Sequence, residues 1–209
     1  MRMRNVLLVT FAIVAVIAST PTAHARGRKS ASTAPGTYKE WGPDIDEVTI
    51  KKSFHMSDYD RVVVVGFDTS STKQPGRDED SHDDVKTALS GFSSTLADAL
   101  RKELKATAKV DHQSSAPRSS KTLIVRGKVD EIEPGSRAGR YWGGFGAGGA
   151  HTTITGEIVD ASSGAVLLRF KQERHSGGTT KFGGGTDKQV MRDSIHALGE
   201  DVAHILDSF

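Results

Sequence analysis

Hydrophobic and polar positions follow two rhythms along this chain, and each change of rhythm marks an element. Arg61-Val-Val-Val-Val-Gly-Phe67 is apolar on both faces and predicts a strand inside a sheet. Val48 and Ile50 open a shorter strand before it. A polar stretch from Thr69 to Asp84 reads as a long, mobile loop. Val85, Leu89, Phe92, Leu96, Leu100 and Leu104 then recur at steps of three and four, which predicts one continuous amphipathic helix. Ser81 is placed as its N-cap, with Asp84 three residues on and Lys102 and Lys105 near the far end, matching the helix dipole.

A short strand around Val110 and a longer one from Lys121 to Ile132 follow. Thr152 to Asp160 and Ala165 to Glu173 form a hairpin around Ala-Ser-Ser-Gly, with Asp160 and Gly164 placed for a tight turn. Met191, Ile195, Leu198, Val202, Ile205 and Phe209 again step by fours and threes, predicting a closing helix. Together these predict an α+β fold: a mixed or antiparallel sheet of about five strands, with two amphipathic helices on one face.

The first 25 residues belong to a different pattern. Arg2 and Arg4 precede an apolar run from Val6 to Ala18, and Ala23-His24-Ala25 supplies a small-residue cleavage site. This is the order of a secretory signal peptide, and the run is short of the roughly 20 residues that cross a bilayer. Residues 26–44 are polar, basic and rich in Ser, Thr, Gly and Pro, so they read as a disordered tether. Residues 45–209 then form a single α+β domain. The expected destination is the periplasm or the outside of the cell, with no transmembrane span after cleavage.

The 209 residues contain no cysteine, which excludes disulfides, thiolate metal sites and a lipidated anchor. Cleavage after Ala25 removes Arg2 and Arg4 and leaves 26 basic and 26 acidic residues. Net charge therefore gives no reason to expect nucleic acid as a partner. No cofactor is expected.

Residues 135–150, GSRAGRYWGGFGAGGA, hold seven glycines among sixteen positions, with Tyr141, Trp142 and Phe145 set among them. Gly144 to Gly149 matches the dinucleotide fingerprint only formally, because a strand follows where a helix is required. Two readings remain open. The segment is either a glycine-rich loop whose rings tuck over the sheet edge, or a contact surface flanked by Arg137 and Arg140. Arg140, the block Gly143-Gly-Phe-Gly-Ala-Gly-Gly-Ala150 and the later Val159-Asp-Ala-Ser-Ser-Gly-Ala-Val-Leu-Leu168 resemble an uncharacterised family of exported bacterial proteins, domain of unknown function 4410. The resemblance spans roughly residues 58–207. It implies an exported protein with a Val-rich early strand, a following helix, the hairpin and a terminal helix. It implies no reaction, cofactor or catalytic residue.

Other constellations are weaker. His196 and His204 are more than two helical turns apart, while His151 and His175 could approach across the hairpin; these histidines read as structural or solvated, with no metal site expected. Asp78, Glu79, Asp80, His82, Asp83 and Asp84 read as a solvated helix start rather than a calcium loop. Ser70-Ser-Thr-Lys73 reads as a chance match to a nucleophile motif. Strand alternation puts Arg126 with Lys128, and Arg169 with Lys171, opposite their apolar neighbours, so four cations can share one face, with Glu157 and Asp130 placed to neutralise it.

The leading expectation is an exported, non-enzymatic envelope protein, a binding or assembly module acting through the glycine-aromatic segment on an envelope protein or an acidic envelope polymer. One alternative is a hydrolase of an envelope polymer using Asp78, Asp80 and Asp83. Another is a structural subunit of an oligomer.

Overall fold

The computed structural model describes residues 31–42, 45–75, 80–135, 150–176 and 186–209. The strands are β1 Gly36–Trp41, β2 Ile45–Ile50, β3 Arg61–Val65, β4 Lys109–Gln113, β5 Thr122–Glu133, β6 Ala150–Asp160 and β7 Val166–Ser176. The helices are α1 His82–Ser90, α2 Phe92–Glu103 and α3 Asp187–Leu206. The seven strands form one mixed sheet in the order β1-β2-β7-β6-β5-β3-β4. Neighbours from β1 through β5 are antiparallel, whereas β5-β3 and β3-β4 are parallel, with α1 and α2 making the crossover from β3 to β4.

The α+β class holds, with seven strands among the described residues rather than about five and three α-helices there rather than two. The extra helix comes from a break in the expected continuous one. Gly91 ends α1 and precedes α2, because glycine is among the weakest helix formers and nothing in its side chain resists the break. The apolar stripe survives: Val85, Phe92, Leu96 and Leu100 are fully buried. Ser81 precedes α1 but makes no side-chain cap; its carbonyl accepts from Val85 instead.

An extra strand, β1, lies inside the stretch expected to be a tether. The described part of that stretch is held by two aromatic residues. Tyr38 packs against the core, and Trp41 is 4 % exposed, donating its indole N–H to the Ser32 carbonyl at 2.8 Å. Phe209, from the far end of the chain, stacks on Trp41 at 6.1 Å and on Phe54 at 4.4 Å. A polar composition hides such a strand, because the apolar surface it covers comes from elsewhere in the sequence.

All the described helices lie on one face. Val62, Val64, Leu123, Val125, Val129, Ile154, Ile158, Leu168 and Phe170 meet Leu96, Leu100, Met191, Ile195, Leu198 and Val202 there in a single buried cluster. α2 and α3 approach closely at Gly199, where a Cβ would lie 2.6 Å from that of Ala99. The cross-strand pair Gly127–Gly156 likewise leaves room for aromatic rings: a Cβ on Gly156 would sit 2.2 Å from the Phe170 ring. The hairpin turn forms as expected, with Gly164 at φ 74° and the Asp160 carboxylate accepting from the Ser162 and Ser163 hydroxyls and the Ser163 amide. Tyr59 donates to the same carboxylate, and burial together with that contact pushes its phenol up to about 12.

Candidate functional site

The face opposite the helices carries the chemistry. A small apolar cluster of Ile124, Val159 and Ala161 occupies one end. Polar rows follow, and strand register sets their composition. Arg126 pairs with Glu157, and Glu157 with Arg169; in the next row Lys128 pairs with Thr155, Thr155 with Lys171, and Lys171 with Glu47. The four expected cations thus share one face, and carboxylates interleave them. Glu157 accepts from Arg126 at 2.9 Å and from Arg169 at 2.8 Å. Lys128 reaches Asp130 at 2.6 Å, and Thr155 donates to the same carboxylate at 2.6 Å.

Partial burial would raise the carboxyls of Glu157 and Asp130, yet both lie below their ordinary values because the paired cations and the Thr155 hydroxyl stabilise the ionised forms. Asp130 holds the Lys128 ammonium in its charged form to a higher pH than usual.

Past these rows, a bulge between Val129 and Glu131 shifts the register of β5. Glu133 then stands opposite His151, and His151 opposite His175. His151 Nε2 lies 3.6 Å from a Glu131 oxygen and its Nδ1 3.8 Å from a Glu133 oxygen. The His151 and His175 rings are 5.8 Å apart, and His175 Nε2 contacts Glu173 at 2.9 Å.

Lys73 forms an ion pair with Glu131, lowering the glutamate's pKa and raising its own. Lys73 is held there by backbone bonds to Asp130 and Ile132, so this part of the expected mobile loop runs hydrogen-bonded along β5. Lys73, Gln74, Pro75, Ser81, Glu131 and Glu133 line a cleft of about 270 Å³ beside it.

Sequence reasoning brought His151 and His175 together but missed Glu131 and Glu133. The signal was Glu-x-Glu at the end of an alternating strand, yet its partner strand begins beyond the glycine segment and its register was not readable. Arg137, Arg140, Tyr141, Trp142, Phe145 and Asp78 lie outside the described residues. Asp80 and Asp83 are exposed near the start of α1. No helix among the described residues is long and apolar enough to cross a membrane.

This arrangement defines a β-rich module with one helix-covered and one charged sheet face. The chain belongs to the family Domain of unknown function (DUF4410), whose model matches residues 62–179. No curated protein matches it. Among solved structures it is similar to the PelC dodecamer from Paraburkholderia phytofirmans, at 18 % identity over 78 % of this chain and 97 % of that one, TM-score 0.45. It is also similar to a Xanthomonas campestris protein whose family model is DUF330, at 10 % identity over 71 % and 84 % of the two chains, TM-score 0.38. A third likeness is to a neuraminyllactose-binding hemagglutinin homolog from Helicobacter pylori, at 11 % identity over 72 % and 86 %, TM-score 0.31. These distant likenesses assign no activity to this chain.

Proposed function

We propose that the protein is exported and acts without catalysis, as a binding or assembly module of the cell envelope that engages an acidic partner. The observation that carries this reading is the charged sheet face. Four cations, Arg126, Lys128, Arg169 and Lys171, stand in adjacent rows on it, and no described helix packs there. Glu157, Asp130 and Glu47 interleave those cations, and Asp68 stands beside Lys128, so the rows present alternating charge whose cations are spaced to meet a partner's spaced negative groups. The arginine and tyrosine-tryptophan-phenylalanine positions of residues 137–145 extend the same proposal along the sequence that joins β5 to β6.

Photo-crosslinking in cells tests it, with the reactive group placed at Lys171, at Trp142 and, as a control on α2, at Lys102. Adducts from Lys171 or Trp142 but not from Lys102 are expected. A glycan adduct identifies an acidic polymer, and a discrete protein adduct identifies an acidic protein surface. Absence of adducts from both positions overturns the reading.

A further inference from the structure

The end of the charged face holds a second kind of chemistry, independent of whether the face binds a partner. One oxygen each from Glu131 and Glu133 and one ring nitrogen of His151 lie within 4.8 Å of one another. They come from two paired strands. Glu131 and Glu133 share a face because they are two apart on β5, and His151 stands directly across from Glu133 on β6. The bulge after Val129 sets this register.

We propose that Glu131, Glu133 and His151 bind one borderline divalent cation of the zinc class, with His175 of β7 as the fourth ligand. Tetrahedral zinc with bonds of about 2.0–2.2 Å places its ligand atoms about 3.4 Å apart. The present His151–Glu131 and His151–Glu133 separations of 3.6 and 3.8 Å use different ring nitrogens, so binding requires a modest turn of one carboxylate. Glu133 has that freedom, being 53 % exposed. His175 is 73 % exposed, and its ring lies 5.8 Å from that of His151, so a rotamer change brings a second imidazole to the cation. An imidazole with two carboxylates suits zinc, nickel or copper, whereas calcium and magnesium prefer oxygen alone.

Lys73 is the internal competitor. Its ammonium pairs with Glu131 and occupies one side of the same carboxylate. Removing it should therefore tighten metal binding, an effect that a merely structural cluster would not produce. Glu173 plays the corresponding part for His175, its carboxylate lying 2.9 Å from Nε2.

Calorimetric titration of zinc into the purified full chain, carrying no histidine tag, tests the site. One saturable site is expected, accompanied by a rise in melting temperature. His151→Ala and Glu131→Gln should each weaken it by at least about tenfold, Lys73→Met should tighten it several-fold, and His196→Ala and His204→Ala should leave it unchanged. Glu133→Gln provides a milder variant should the others disturb folding, which circular dichroism of the metal-free proteins checks. Calcium should give no saturable heat. No saturable zinc binding, or binding undiminished in a folded His151→Ala protein, overturns the proposal.

Discussion

Strand β7 carries an arginine on each face, and the two meet opposite environments. Arg174 turns inward to Asp201 of α3, a carboxylate that is 1 % exposed, donating from Nε at 2.6 Å and from its terminal nitrogen to the second oxygen. Gln172 donates to the same carboxylate at 2.9 Å, while its own oxygen accepts from the Asp46 amide of β2. Arg169 turns outward to Glu157, where both partners reach water and Arg126 shares the load. The inner pair fastens α3 to the sheet, and Gln172 links the same carboxylate to β2. The outer ladder arranges charge at little cost to folding. Similar chemistry at two depths thus fastens the architecture on one face and arranges exposed charge on the other.

The comparison breaks most sharply at Arg174. Arg174→Ala strands the buried Asp201 carboxylate and should cost about 3–5 kcal/mol in urea unfolding at neutral pH. Burial already holds the Asp201 carboxyl above its ordinary value, against the pull of Arg174. Without the arginine it takes up a proton more readily, so the penalty should shrink as pH is lowered toward 5. An equal loss for Arg169→Ala would erase the distinction between the faces.

Packing on the helix side gives the next largest effect. Gly156→Ala brings a Cβ against the Phe170 ring, an overlap that rigid β-structure relieves poorly, and should cost about 1–3 kcal/mol. Phe170→Leu in the same chain should recover part of that loss. The outward face at the neighbouring Thr155 should accept alanine with a smaller change, since only its hydroxyl bond to Asp130 is lost.

These contrasts also explain what could be read from the sequence. The α3 stripe, the Val-rich β3 and the Asp160–Gly164 turn were legible because each is a local pattern with a local cause. The shared face of Arg126, Lys128, Arg169 and Lys171 was legible through strict alternation. Three features were not. β1 depends on Phe209, contributed from the opposite end of the chain. The break at Gly91 interrupts a stripe whose spacing alone looks continuous. The bulge after Val129 sets which acidic side chains meet His151, and alternation cannot register an inserted residue. Long-range partners and register shifts, rather than composition, mark the boundary of legibility.

On the outer face the expected effects are smaller. Arg126→Ala and Arg169→Ala should each change stability by about 0–1 kcal/mol, because Glu157 keeps one cation in either single variant. The double variant should lose more than the two singles together, and a double-mutant cycle reads that coupling. Simple additivity would mean that the two arginines act separately and that no ladder exists.

The smallest effect is the most diagnostic, because the two faces respond to pH with opposite sign. Glu157 and Asp130 have folded-state values below their ordinary ones. Their contribution is therefore full above the unfolded values, near about 4, and is lost as pH falls through the lower folded ones. Asp201, held higher, binds a proton more readily folded than unfolded, so it subtracts stability as pH rises from about 4 through its higher folded value. Glu157→Gln with Asp130→Asn should flatten the rise of stability between pH 3 and 5, by roughly 0.5 kcal/mol across that window. Asp201→Asn should steepen it. Chemical denaturation at closely spaced pH values measures both slopes, and a shift in the same direction for both variants would mean that depth does not set the sign.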